Sequence, residues 1–403
     1  MLPALRLLLI TTLLAVPSLS CVAAAAQLQS PPNRSRGFGP DACGPVDPSY
    51  IHVANETGGQ PMFLQRSEAA KAMHLMRETT RSNVETVFRA TGKLTAGVEE
   101  FIVPVDSSVK RITLTLSMDT KGGALTLTRP SGGAVESGQD RVEDTGLNCG
   151  RIVTVEAPEA GNWRARVSGS GTYWVSAQAQ SEIYFISVEF VALGGRPGHE
   201  GLFRIAGQPL ADHPATLEAK LSSRAIRSAE FRLVAEDGRE IQKIPMKNES
   251  FDADDAEFVG TFELPRQPFR LAAAGLDREG NSYERQFHTL FHAATVAVTP
   301  PSQFADVPAG KNTSIPFLVR NVGEADTFRV TVADSHRLVE KVEPQQIELG
   351  RGKSGTVVVD MAVPSETAAG IGGDLTFVVQ GASGPEAQNS AVVHFSVTEP
   401  ERR

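Results

Sequence analysis

From residue 98 to the C terminus apolar and polar residues alternate, as in Ile112, Leu114 and Leu116 and again in Leu125 and Leu127. Turn signals such as Lys121-Gly122-Gly123 interrupt this alternation about every 8 to 12 residues. Together they predict a mainly β fold of tandem immunoglobulin-like or jelly-roll β-sandwiches, with one N-terminal strand-helix piece in front. The 403 residues are 41% hydrophobic, which suffices for several cores. Lys+Arg 39 against Asp+Glu 47 gives 39 − 47 = −8, which argues against nucleic acid as a partner.

The first element, residues 1–26, reads as a signal peptide. Arg6 precedes the apolar run Leu7 to Val16, Pro17 ends it, and Ala24 and Ala26 supply the small residues of a cleavage site. A lipoprotein reading needs an apolar residue three positions before Cys21, where Ser18 stands. Beyond this segment no apolar run reaches the roughly 18 residues of a membrane span, so the mature chain is expected to be secreted or extracytoplasmic, in the periplasm or at the cell surface if bacterial. Cleavage near Gln27 leaves Cys43 and Cys149, expected to form one disulfide in an oxidising compartment. Two isolated cysteines lack the paired spacing of a zinc site.

Residues 27–49 are rich in Pro, Gly and Ser and form a linker. In residues 50–92, Tyr50 to Ala54 reads as a strand, and Ser67 caps a helix whose apolar face is Ala69, Ala70, Met73, Met76, Val84 and Val87. That face needs a dry surface, expected on the first sandwich near Cys149 and over Trp174. Three sandwiches follow at 93–193, 194–299 and 300–403, divided at Gly194-Gly195-Arg196-Pro197-Gly198 and at Pro300-Pro301.

Few motifs carry chemistry. His288 and His292 lie in what reads as a strand from Tyr283 to Val298, where four residues span about 13 Å, too far for one metal ion. Gly352-Lys353-Ser354 lacks the first glycine of a phosphate loop, since Ile347 occupies that place. Asp252, Asp254, Asp255 and Glu257 concentrate four carboxylates and form a weak calcium candidate, set against the plainer reading of a solvated hairpin tip. No Gly-x-Ser-x-Gly occurs, and no cofactor is indicated. In an expected hairpin from Trp163 to Ala177, Trp163 faces the core and Trp174 the opposite side. There Trp174 is either a binding surface for a sugar or protein, or is covered by the strand-helix piece or the next domain.

Phe101-Ile-Val-Pro104-Val-Asp106-Ser-Ser108, then Pro158-Glu-Ala-Gly161-Asn-Trp163, Ser168-Gly-Ser-Gly171 and Val175 resemble the segment after the von Willebrand factor A domain in hemicentins and their secreted relatives. Val53-Ala-Asn-Glu-Thr57-Gly58-Gly59-Gln60 and the helix after it resemble the last strand and helix of the A domain itself. The resemblance implies an A-domain remnant, but not metal-dependent adhesion. The Asp-x-Ser-x-Ser start of such a site would lie upstream, where only 47 − 26 = 21 residues of the mature chain precede Pro48. At Asp106-Ser107-Ser108 the third hydroxyl is replaced by Lys110.

Phe317-Leu-Val-Arg-Asn321-Val-Gly323, Ile347-Glu-Leu-Gly350 and Val357-Val-Val359 resemble immunoglobulin-like modules of bacterial secreted enzymes and surface proteins. In a bacterial chain the sequons at Asn33, Asn55, Asn248 and Asn312 would carry no glycan.

The function read from this is a secreted, non-enzymatic protein-interaction or adhesion module whose partner is an extracellular protein or matrix polymer. The alternative is a carbohydrate-binding accessory of a secreted hydrolase, which exposed aromatics on a concave face would favour. An enzyme with a spatially assembled site ranks third.

Overall fold

In the computed structural model the described residues are 43, 47–81, 83–194, 198–222, 224–249 and 255–399. The signal segment 1–26, most of the 27–49 linker, Asn33, Asp252 and Asp254 lie outside them.

The first sandwich comprises β1 (Val84–Val105), β2 (Arg111–Met118), β3 (Ala124–Thr128), β4 (Val142–Leu147), β5 (Gly150–Glu156) and β6 (Gly161–Gln180). It is one sheet bent over itself. β1 and β6 pair antiparallel along nearly their whole length, with a register shift between Leu94 and Gly97. The second half of β6 pairs β2, which continues to β5 and β4, while its first half pairs β3. At the bend Ala96 and Gly171 have positive φ, and a Cβ on Gly171 would lie 2.3 Å from Asp119 Oδ1. Trp163, Ala165 and Val167 from one layer and Tyr173, Val175 and Ala177 from the other share a single core with Ile112, Leu114 and Leu116. The expected Trp163–Ala177 hairpin is therefore one bent strand, although the side-chain alternation put the correct residues inside.

The second sandwich comprises β7 (Phe185–Gly194), β8 (Gly201–Arg204), β9 (Pro214–Ser222), β10 (Ile226–Val234), β11 (Glu240–Ile244), β12 (Lys247–Asn248), β13 (Asp255–Glu263), β14 (Arg270–Asp277) and β15 (Ser282–Gln286). Its sheets are ordered β11-β10-β14-β15 and β12-β13-β9-β7-β8. Because β7 pairs β9 and β8, the boundary expected at Gly194–Gly198, whose residues 195–197 lie outside the described residues, falls between two strands of one sheet and not between two sandwiches. The third sandwich comprises β16 (Val296–Thr299), β17 (Phe304–Pro308), β18 (Asn312–Asn321), β19 (Asp326–Asp334), β20 (Val339–Glu343), β21 (Gln346–Leu349), β22 (Ser354–Ala362), β23 (Gly372–Gly381) and β24 (Gln388–Thr398). Its sheets, β16-β18-β22-β20 and β17-β24-β23-β19-β21, enclose a core that includes Phe317 stacked on Phe377 at 4.2 Å. β16 pairs β18, so this unit starts before Pro300.

Among the described residues, 47–81 contain no strand. α1 (Pro48–Thr57) begins with Asp47 accepting from the Ser49 N–H and ends at Gly58, whose φ is 74°. A Cβ on Gly58 would lie 2.7 Å from His288 Cβ. A 3-10 turn at Arg66–Lys71 leads into α2 (Ala72–Thr79). Tyr50 to Ala54 is thus helical, which corrects the expected strand of an A-domain remnant; Val84 and Val87 belong to β1.

The first two sandwiches meet around Arg285, which is fully buried. Its Nη2 donates to Asp106 Oδ2 at 2.5 Å and to Ser181 Oγ, its Nε to the Ile183 carbonyl at 2.8 Å, and its Nη1 to the Glu284 carbonyl at 2.7 Å. Ser107 donates to Asp277 from both N–H and hydroxyl. At the second junction Asn389 Nδ2 donates to the Gln208 and Val296 carbonyls while its Oδ1 accepts from the Gln208 N–H.

Asp106→Ala should lower unfolding free energy by about 3 to 5 kcal/mol, measured in urea, because it strands a buried guanidinium. Glu85 offers a pH test at the same junction. Burial pushes its carboxyl up to about 7, against the opposing effects of Arg285 and of the Phe185 N–H. An acid whose pKa rises on folding stabilises the native state below its unfolded value, and this contribution is lost as pH climbs through about 7. Between about pH 5 and 8 the wild type should lose on the order of 1 to 2 kcal/mol more than Glu85→Gln, read from paired melts.

Candidate interaction site

The bent sheet of the first sandwich has two outer faces, and they differ. On the face of β2, β5 and the second half of β6, strand alternation points Thr113, Thr115, Ser117, Thr154, Trp174 and Ser176 outward, yet all are buried. Residues 47–81 cover them. Phe63 packs on Trp174 at 5.2 Å between ring centroids, beside the Cys43–Cys149 disulfide, and Ile51 completes the cluster. Gln60 Nε2 donates to the Trp174 carbonyl and the Phe63 N–H to Ser117 Oγ. Trp174, 6% exposed, is therefore not an available binding surface, because Phe63 occupies the face on which a ligand would stack.

α2 covers the same face with its polar side. His74 Nδ1 lies 2.9 Å from Thr145 Oγ1 and its Nε2 lies 3.0 Å from Thr154 Oγ1. Glu78 accepts from Arg111, Arg77 and Arg81. Met73 and Met76 instead point outward, 62% and 56% exposed, and Ala69 and Ala70 are also exposed, which corrects the expected apolar contact face. The hydroxyl-rich sheet surface selects hydrogen-bonding side chains over methionines.

His74, Glu78 and Glu143 place ligand atoms within 4.8 Å of one another, a spacing that suits a metal ion. The surrounding charges favour an ion-pair cluster. Arg77, Arg81 and Arg111 already engage the carboxylates, and both His74 ring nitrogens face hydroxyls. Burial drives Glu78 upward, but hydrogen bonds from the three arginines outweigh it and hold the carboxyl at about 2. Burial lowers His74, with Glu143 opposing, so its neutral form prevails at neutral pH.

The other outer face, formed by the second half of β1, β3 and the first half of β6, is open. Register places Glu100, Arg166 and Thr126 in one row across the three strands and Ile102, Arg164 and Thr128 in the next. With Arg129, Pro130, Gly132 and Asn162 they line a groove of about 640 Å³. Arg164 and Arg166 are exposed and, two residues apart on a strand, project about 7 Å from each other. Arg164 meets Glu100 only loosely, at 3.7 Å, whereas Arg129 is fixed by the Ala134 carbonyl and Gln139. Guanidinium forks beside threonine hydroxyls suit carboxylate or sulfate oxygens. Among the described residues none of the lining side chains is aromatic.

Other candidates are scattered. Asp255 and Glu257 lie on β13, where Glu257 pairs Lys220 at 3.1 Å. Strand β15 ends at Gln286, so His288 and His292 sit in an irregular segment rather than the expected strand; His292 Nε2 lies 2.9 Å from Glu56, and burial lowers the His288 pKa. Of the sequons, Asn55 lies within α1, Asn248 on β12 and Asn312, exposed, on β18. Arg164 and Arg166 escaped sequence reasoning, although their alternation with Trp163, Ala165 and Val167 marks them as outward-facing.

A family model for the hemicentin galactose-binding domain-like module matches residues 86–182, and one for the VWA7 Ig-like domain matches residues 296–399. Mouse hemicentin-1 is 22% identical over 244 residues, 59% of this chain and 4% of its own length. Human hemicentin-1 is 21% identical over 295 residues, 70% of this chain and 5% of its own. The chain thus spans a small fraction of the relatives it matches. The ectodomain of mouse nectin-like molecule 4 aligns at 12% identity over 76% of this chain and 96% of its own, with a TM-score of 0.18, and nothing about this chain follows from that likeness. The hemicentin-like resemblance is supported on the first sandwich. The third matches a VWA7 module, and neither match extends to an A domain or to bacterial modules.

Phe63→Ala should cost about 3 kcal/mol and shift Trp174 emission to longer wavelength, because it opens a cavity over the indole. Met73→Asp, on the solvent side of α2, should change stability by no more than about 0.5 kcal/mol in the same melts.

Proposed function

We propose that this chain is an extracellular, non-catalytic interaction module, and that the arginine-bearing groove on β1, β3 and β6 is its contact face for an anionic protein surface or matrix polymer. The observation that carries this reading is the asymmetry of the first sandwich. One outer face is buried beneath a disulfide-tied segment, while the opposite face leaves Arg164 and Arg166 exposed in a groove. Hemicentin-like and VWA7 Ig-like matches on the first and third sandwiches favour the same class. A sugar-stacking accessory role is less favoured, because Trp174 is covered and the groove is lined by charged, hydroxyl and aliphatic groups.

The test is a pull-down from the native secretome with wild type and Arg164→Glu/Arg166→Glu, with immobilised heparin as a polyanion probe. The double variant should keep its melting temperature, lose captured partners and elute from heparin at lower salt. An unchanged partner set and unchanged elution would place the contact face elsewhere.

A further inference from the structure

The second sandwich carries an edge whose chemistry is self-complementary. Among the described residues β8 ends its sheet and pairs β7 alone, with Leu193 opposite Leu202 and Ala192 opposite Phe203. Leu193 is 79% exposed, Phe203 49% and Leu202 42%. Charged residues flank them, Glu200 just before the strand and Arg204 at its end. Edge charges are a common defence against strand addition. Here they have opposite signs and sit symmetrically about Leu202.

The hydrogen-bond phase of the edge follows from one contact. The Ile205 N–H donates to the Phe190 carbonyl, so in this antiparallel ladder residues 205, 203 and 201 direct their backbone groups toward β7. Leu202 and Arg204 therefore direct theirs outward, and Glu200 falls in the same phase. A second β8 arriving antiparallel must hydrogen-bond through these even-numbered positions, which restricts the possible registers. Only the register with Leu202 opposite Leu202 places Glu200 of each copy against Arg204 of the other. One residue pair earlier or later sets a charge against leucine.

We propose that β8 pairs with β8 of a second copy of this chain about a two-fold axis at Leu202, joining the two sheets edge to edge. On one face Leu193 and Leu202 from each copy form a four-leucine cluster flanked by two Glu200–Arg204 pairs. On the other face Phe203, which already lies over Gly194 of its own β7, comes opposite Gly201 of the second copy, where the absent side chain leaves room for the ring. Within one copy the two charges have poorer partners. Arg204 reaches Glu189 at 3.8 Å, and Glu200 accepts from the Gly198 N–H. The inference goes beyond the groove-based function and does not depend on it.

Sedimentation equilibrium of the purified chain across the micromolar range tests it. Wild type should dimerise reversibly. Glu200→Arg and Arg204→Glu should each weaken association by about tenfold or more, because each sets like charges opposite one another twice. The two variants mixed in equal amounts should recover association as a heterodimer, since every cross-strand pair is then of opposite sign. The double variant Glu200→Arg/Arg204→Glu should recover it as a homodimer. Unchanged thermal melts show that the fold is retained. A monomeric wild type, or a dimer indifferent to either reversal, would overturn the proposal, as would failure of the mixture to associate.

Discussion

The arrangement of the first two sandwiches rests on a charge with no route to water. Arg285 is fully buried at their junction, and each of its donor groups is committed: Nε and Nη1 to carbonyls, Nη2 to Asp106 and Ser181. Domains joined in one chain move relative to each other by default when their interface is small and wet. A desolvated guanidinium changes that balance, because separating the domains would break an ion pair that is geometrically complete only when they touch. The N-terminal segment makes a third tie. It is covalently linked to the first sandwich at Cys149, while carbonyls at the end of α1 and just beyond it accept from Arg89 of the first sandwich and Arg270 of the second. Two cations at the negative end of a helix dipole favour that docking.

The covering segment also shows why helical periodicity misled. An amphipathic helix is expected to turn its apolar stripe inward, and that expectation assumes the surface beneath it is apolar. Here β2, β5 and β6 present Thr113, Thr115, Thr154 and Ser176, with Thr113 bonded to Thr154 and Thr115 to Ser176. On that surface His74 adds hydrogen bonds to Thr145 and Thr154 and Glu78 accepts from Arg111, contacts that a methionine could not make. The contiguous apolar contact is made instead by Phe63, which lies in neither helix.

What was legible in the chain follows the same logic. Strand alternation depends on a local, two-residue period, so the buried sides of β6, β18 and β24 could be read directly. The disulfide was legible because only two cysteines remain after the expected cleavage, and its closure is visible in the structure. Tyr50 to Ala54 was not legible, since Ile51 and Val53 suit a strand by propensity, and the Asp47-Pro48 start that favours a helix is a subtler cue. Nor could a Gly-Pro cluster reveal whether it links two domains or two strands, because both need the same turn chemistry. Arg285 was invisible for a different reason: its partner Asp106 lies 179 residues away, and no local pattern marks a buried pair of that separation.

The groove and the rest of the surface act in opposite electrostatic senses. A net charge of −8 repels an anionic partner at long range, whereas Arg129, Arg164 and Arg166 attract one at contact. With a Debye length of about 8 Å at physiological salt, the general repulsion is screened at separations where the local arginines still act. Recognition at such a face is short-ranged, with little electrostatic acceleration of encounter and discrimination set by shape and by how many oxygens the guanidinium forks can hold. Exposed charge contacts are individually weak, so one groove alone would hold a partner briefly. In the dimer proposed through β8, two grooves on one assembly would convert the second contact into an intramolecular event, raising avidity by factors on the order of a hundred where the partner repeats its anionic groups. On the function proposed above, a weak, open, basic face is better suited to an extended ligand that repeats its anionic groups than to a single compact one.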